Sequence, residues 1–373
     1  MEQREETIII FPFMAQGHII PALALALQVE QMGYKIALVN TPLNIRNLKS
    51  SLPPASSINL LELPFNSSDH CGLPPESENT DVLPYPLIVN LLHASLSLRP
   101  ALHDLLSGLV RGGAPPLCVI ADVFLGWTVE VAHELGLFHA FFSGAGGFGL
   151  ACYASMWVHL PHRKTDSVEF TLPDYQESGK FHVTQLSASV LAADGTDPWS
   201  KFQHGNIPFW GESDGFLFNT VEELDKTGLN YFRRKFGVSV WPVGPILTSA
   251  GHKVHSDQET EFSLERYVEW LGEKPAKSVI YVSFGTQNTI SASQMMQLAK
   301  ALEGCADIEE KIRLVMGEGG RGKEIRRRAC EVKDTIKDAI RVKVGFKGSS
   351  VKAMEDFLNA ALLVKEKTRV AGL

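Results

Sequence analysis

Residues 7–21 read Thr-Ile-Ile-Ile-Phe-Pro-Phe-Met-Ala-Gln-Gly-His-Ile-Ile-Pro, and residues 35–40 read Lys-Ile-Ala-Leu-Val-Asn. The opening run, residues 7–13, is continuously apolar and β-branched, the pattern of a strand buried on both faces of a parallel sheet. Residues 22–32 are rich in Ala and Leu and stop at Gly33. Pro21 near the first helical turn and Gly33 just past the last one fit the asymmetry of helix ends. Strand, helix and strand in this order form a β-α-β unit with a right-handed parallel crossover.

The same alternation continues. Residues 87–109 read as helical with a break or kink at Pro100. Strands are expected at 117–121, 139–143, 215–219 and 240–245, and helices at 128–135 and after Thr220, where Glu222 and Glu223 complement the helix dipole. The first 245 residues therefore predict one doubly wound α/β domain. Residues 246–262 are polar and aperiodic, as in a linker. A second domain, 263–373, opens with a helix at 264–271, a buried-type strand at 278–284 and a helix at 291–302. Three further helices follow (307–316, 323–341 and 349–363) with no convincing strand before any of them. The strand at 279–282 thus has the composition of a central strand and no neighbours in its own domain.

Composition narrows the function classes. The chain has 373 residues, with 45% hydrophobic and 21% charged side chains, close to the soluble globular average. The net charge of −7 disfavours a dedicated nucleic-acid binder. The basic excess after residue 301 is interleaved with acids on helical segments, as on a solvated face. Five widely spaced cysteines suggest neither a disulfide framework nor a zinc site. No apolar run approaches the roughly 20 residues of a membrane helix, and the start lacks the pattern of a secretory signal. The expectation is a cytoplasmic protein without a transmembrane segment.

His18 follows the first strand and Asp122 ends another, the end of open α/β sheets where chemistry is placed. A carboxylate holding a histidine that takes a proton from a hydroxyl is one reading. A turn histidine and a helix-capping aspartate is the other, and spacing leaves both open. Gly144-Ala145-Gly146-Gly147 lacks the spacing of a dinucleotide fingerprint, and the first turn holds the single Gly17, so a nicotinamide cofactor is disfavoured. Ser143 ends a strand on the crevice side. Phe141, Phe142, Phe148, Tyr153 and Trp157 are candidates for an apolar pocket or for core. His159 and His162 flank Pro161 with no evident third ligand, so no metal site is expected.

Phe11-Pro-Phe-Met-Ala-Gln-Gly-His-Ile-Ile-Pro21 closely resembles the opening motif of plant UDP-glycosyltransferases. Ile120-Ala-Asp-Val-Phe124, Asn219-Thr-Val-Glu-Glu-Leu224, Pro242-Val-Gly-Pro245, Val268-Glu-Trp-Leu271 and Ser278-Val-Ile-Tyr-Val-Ser-Phe-Gly-Thr286 resemble further segments of that family. The resemblance implies a GT-B fold of two Rossmann-like doubly wound domains. It implies inverting, metal-independent transfer of a hexose, chiefly glucose, from a UDP-sugar co-substrate to a hydroxyl of a small lipophilic acceptor, with no bound cofactor. His18 would be the general base and Asp122 its orienting partner. Gly285 and Thr286 would approach the diphosphate, a plain turn being the alternative there, and Gly17, Ser143 and Phe148 would approach the acceptor.

One family feature does not occur in the sequence. The donor-binding box opens with Trp-x-Pro-Gln and contains His-Cys-Gly-Trp-Asn-Ser, yet no tryptophan follows Trp270. Gly304 and Asp307, separated only by Cys305 and Ala306, resemble segments that flank the box. The C-terminal domain is therefore expected to be incomplete and donor binding weak or lost. The rival expectation is a non-catalytic truncated product that binds an acceptor or a partner protein only.

Overall fold

A computed structural model describes residues 5–81, 83–246, 264–275, 278–284, 290–317 and 319–371. In chain order, the first elements are β1 (Thr7–Phe11), α1 (Gln16–Gln31), β2 (Lys35–Asn40), α2 (Pro42–Ser51) and β3 (Asn59–Glu62). Then come α3 (Ile88–Ala94), α4 (Arg99–Arg111), β4 (Cys118–Asp122), α5 (Thr128–Glu134), β5 (Phe138–Ser143) and α6 (Gly147–His159). A small antiparallel pair, β6 (Glu169–Thr171) and β7 (Lys180–His182), precedes α7 (Ala188–Ala192) and α8 (Pro198–Asn206). β8 (Gly215–Phe218), α9 (Glu222–Phe236) and β9 (Ser239–Pro242) complete the sheet.

Seven strands pair in parallel in the order β3-β2-β1-β4-β5-β8-β9. Ile8, Ile9, Ile10 and Phe11 are at most 1% exposed, because helices cover both faces of the sheet. From β1 the chain winds one way through β2 to β3, and from β4 the other way to β9. The reversal between β1 and β4 is a topological switch point, and the crevice beyond the carboxyl ends of those two strands is where such sheets hold ligands.

Helix α1 differs from its expected extent. It begins at Gln16 rather than near Ala22, so His18 lies in its first turn and Pro21 lies inside. Pro21 has no N–H for the Gly17 carbonyl. The helix persists through that lost bond because Ile19, Ala22, Leu23, Leu25 and Val29 are buried against the sheet. The predicted break near Pro100 occurs as a short 3-10 turn, Ser95–Leu98, and Pro100 opens α4.

Beyond residue 246 the described elements are α10 (Leu264–Gly272), α11 (Ala292–Gly304), α12 (Ala306–Met316), α13 (Gly320–Ala339), the two-residue strands β10 (Val342–Lys343) and β11 (Phe346–Lys347), and α14 (Ser349–Ala371). Residues 278–284, expected as a buried strand, belong to no strand, and Tyr281 is 88% exposed. A ladder needs a neighbour, and the described residues of this region supply none.

The compact units divide the chain differently from the sequence-based boundaries. One comprises Met1–Lys253 with Asp338–Leu373, the other Val254–Lys337. Helix α14 belongs to the first: Met354, Phe357, Leu358 and Ala361 are buried in its core, with the Phe357 ring 5.3 Å from Trp241 and 6.1 Å from Phe138. Ser350 donates to the Gly244 carbonyl, and Lys365 to the Pro115 carbonyl at 3.0 Å and to Glu6.

Candidate active site

β1 ends at Phe11, and the following turn starts α1 so that His18 projects at the switch point. β4 ends on Asp122 itself. Register pairs Phe11 with Ala121, so the two strand ends stand side by side. His18 Nδ1 and Asp122 Oδ2 are 2.7 Å apart, across 104 residues of sequence. Asp122 is buried, and its other oxygen accepts the Phe124 N–H at 3.0 Å. With Nδ1 donating to the carboxylate, Nε2 is left with its lone pair available, and it makes no hydrogen bond among the described residues.

The rings around the histidine are apolar. Phe13 meets His18 edge-on at 5.7 Å, and Phe124 lies 5.2 Å from it at a tilt. Burial works against the imidazolium, but the charge and hydrogen bond of Asp122 outweigh it and hold the His18 pKa above its ordinary 6.5. The arrangement is a half-buried imidazole, fixed in one tautomer by a buried carboxylate, with its second nitrogen able to receive a proton.

The loop after β5 forms part of the same rim. A Cβ on Gly144 would fall 2.9 Å from the Pro21 ring and 3.6 Å from the Gly17 carbonyl, so this loop packs directly on the start of α1. A Cβ on Gly17 would meet nothing within 4 Å, which leaves open space beside His18. Ser143 is buried, and its hydroxyl donates to the Ala145 carbonyl, closing the turn. Phe148 is exposed, with its ring 5.8 Å from Tyr175. Gly285 and Thr286 lie outside the described residues.

Three aromatic candidates are core. Phe141 and Phe142 point to opposite sides of β5 and are buried in two different clusters, and Trp157 is buried as well. Tyr153 is half-buried, 6.0 Å from Phe124. His159 Nε2 sits 3.1 Å from Asp174, which Lys235 also approaches at 2.7 Å.

Asp225 was not singled out by its sequence. Its carboxylate accepts the N–H groups of Gly147 and Phe148, 78 and 77 residues away, and so fills the anion-binding N-terminus of α6. A phosphate group would find that helix end occupied.

The motif and the fold have counterparts in known proteins. A family model described as "Glycosyltransferase, N-terminal domain" matches residues 5–248. UDP-glycosyltransferase 92A1 of Arabidopsis thaliana is 50% identical over 308 residues, covering 80% of this chain and 62% of that protein. The chain belongs to the plant UDP-glycosyltransferase family. Crocetin glucosyltransferase 3 of Crocus sativus is 44% identical over 305 residues, covering 80% of this chain and 64% of its own length. The chain thus spans under two thirds of these relatives. Among solved structures, Glycyrrhiza uralensis UGT73P12, complexed with glycyrrhetinic acid 3-O-monoglucuronide, superposes with a TM-score of 0.77 at 18% identity and 98% coverage of both chains. Phytolacca americana UGT2, complexed with UDP-2fluoro-glucose and pterostilbene, gives 0.68 at 18% identity, covering 96% of this chain and all of that one. The fold class is GT-B, as the opening motif implies.

Proposed function

We propose that this chain carries the acceptor-activating half of a UDP-glucosyltransferase. His18 Nε2 takes the proton from a hydroxyl of a small lipophilic acceptor, such as a flavonoid, another phenolic, a hormone or a terpenoid. The oxygen forms a bond to the anomeric carbon of UDP-glucose from the face opposite the nucleotide. The anomeric carbon–phosphate oxygen bond breaks, and UDP leaves with its electron pair, so the configuration inverts. Asp122 holds the tautomer and stabilises the imidazolium as the proton arrives. No metal enters the step, and the cytoplasm is the proposed compartment. The observation that carries this reading is the 2.7 Å His18–Asp122 contact at the switch point.

We further propose that turnover by this chain is impaired. The tryptophan-containing donor box does not occur in the sequence, and among the described residues of Val254–Lys337 no hydrophobic side chain is buried. Rate enhancement needs both reactants positioned, and a segment without a core has little to offset its ordering entropy. The second reading, an acceptor-binding product without catalysis, draws on the same two observations.

Purified chain incubated with radiolabelled UDP-glucose and a phenolic acceptor is the test. The expected result is no glucoside above background, with acceptor binding retained and weakened in His18→Ala. Robust turnover overturns the impairment, and turnover that survives His18→Ala overturns the base assignment as well.

A further inference from the structure

Beside the His18 ring, a row of aromatic side chains leads away from the reacting position. Phe124 stands 5.2 Å from His18, and Tyr153 stands 6.0 Å from Phe124 on α6. Phe202 of α8 closes the row, 6.5 Å from Phe124. At its far end the apolar character breaks. Gln203, also on α8 and fully buried, places its Nε2 2.5 Å from the Tyr153 hydroxyl.

The hydrogen-bond accounting at this pair does not close. Gln203 Oε1 is buried and has no hydrogen-bond partner among the described residues. With the amide in this orientation, the phenol oxygen accepts from Nε2, and neither the Tyr153 O–H proton nor Gln203 Oε1 has a protein hydrogen bond described for it. Turning the amide over lets Oε1 accept the phenol proton, but then strands Nε2 and its two hydrogens. Either way, hydrogen-bonding capacity of the Gln203 amide remains unmet, with the Trp157 indole N–H as a further polar group beside the phenol. Leaving a buried amide unpaired costs stability, and such costs are concentrated at functional positions. Burial also pushes the Tyr153 phenol well above its ordinary value, so it remains a proton donor across the working range.

We propose that Gln203 and Tyr153 are specificity-determining residues that hold a second oxygen of the acceptor, at the end of the aromatic row away from the hydroxyl at His18. The selected class is then ring-bearing acceptors with a hydrogen-bonding group at the end opposite the reacting hydroxyl. This rests on the reading of the His18 crevice as an acceptor site. Phe13 and Phe124 flank the reacting end, and the Gln203–Tyr153 pair sets which ring systems fit the other.

The test uses the full chain and two probes that differ by one oxygen, 4-hydroxystilbene and 4,4′-dihydroxystilbene, titrated by calorimetry. The dihydroxy compound is expected to bind several-fold to about tenfold tighter, the range of one neutral hydrogen bond. Gln203→Leu removes that preference while still binding the monohydroxy probe, which shows that the crevice of the variant is folded. Tyr153→Phe reduces the preference independently. Equal binding of the two probes by the parent chain overturns this inference alone, as does a preference that survives in Gln203→Leu. Failure of both probes to bind overturns the acceptor reading beneath it.

Discussion

Ile8-Ile9-Ile10-Phe11 and Val279-Ile280-Tyr281-Val282 have nearly the same composition and opposite fates. The first is at most 1% exposed in the centre of a seven-stranded sheet, and the second is 38–88% exposed and in no strand. Propensity for the extended state is similar in both. The difference lies in what surrounds them. β1 has β2 and β4 in register on either side and α1 above it. Residues 279–282 have no such neighbours among the described residues. Side-chain composition states that a segment can be a buried strand, and the partners decide whether it becomes one.

Hydrogen exchange offers the largest expected contrast. Amides of β1, β4 and β5 should open only with global unfolding, at a cost of about 5–15 kcal/mol, whereas those of α11 and α12 should exchange with little protection. Strong protection in α11 and α12 breaks the comparison. Side-chain truncation sharpens it: Phe357→Ala should cost about 3–5 kcal/mol, and Tyr281→Ala less than about 0.5 kcal/mol, by chemical denaturation. Phe357 packs on Phe138 and Trp241 although it lies in the last tenth of the sequence. A loss at Phe357 as small as that at Tyr281 would remove α14 from the first unit.

Within the first unit, the sheet also stores a pH dependence. His139 is fully buried between the Thr128 and Ser213 hydroxyls, each at 3.0 Å, and burial pushes its pKa down to about 3. Thr128 donates its own proton to the Leu125 carbonyl, so Nε2–H donates to Thr128, and burial keeps the ring neutral at ordinary pH. A lowered histidine pKa means the unfolded chain binds the extra proton. Its contribution is full above 6.5 and is lost as pH falls toward 3. Between pH 7 and pH 4 this amounts to about 3 kcal/mol. His18 and His133, held above their ordinary values, act with the opposite sign, so the comparison is parent against His139→Gln at both pH values. An equal loss in parent and variant would assign the acid sensitivity elsewhere.

A smaller effect is expected where α6 and α9 touch. A Cβ on Gly228 would lie 2.0 Å from the Phe148 backbone nitrogen, the same N–H that Asp225 accepts. Gly228→Ala must push the two helices apart and should lower stability by about 1–3 kcal/mol. Gly17→Ala, with nothing within 4 Å of the added Cβ, changes chiefly helix propensity and should be neutral or slightly stabilising.

Much of this was legible in the sequence, and the gaps have physical causes. β1, β2, β4, β5 and β8 announce themselves as largely apolar runs because both faces are covered. β3 is an edge strand whose residues are only partly buried, so no such run marks it. α6 was not expected: it opens with glycines, which are poor helix formers, yet Gly147 serves its close approach to α9. The residues of the His18–Asp122 pair were visible through their motif. The Asp225 cap, the Gln203–Tyr153 pair and the docking of α14 were not, because each joins residues far apart in sequence through geometry alone.

The subtlest prediction concerns His18 itself. Two opposing influences act on its proton: burial favours the neutral ring, and Asp122 favours the charged one and prevails. Asp122→Asn keeps the size of the side chain and a hydrogen-bonding oxygen while deleting the charge, so burial is left as the leading influence. The imidazole titration followed by NMR should then move from above 6.5 to below it, and the linked stability should change sign. In the parent, protonation of His18 stabilises the fold below pH 6.5, and that gain disappears as pH rises through the raised folded value. In the variant the neutral ring is favoured, and stability is lost as pH falls below 6.5. A midpoint that stays above 6.5 in Asp122→Asn would mean that another group sets the charge on the ring, and the carboxylate would then be a positioning partner without electrostatic effect.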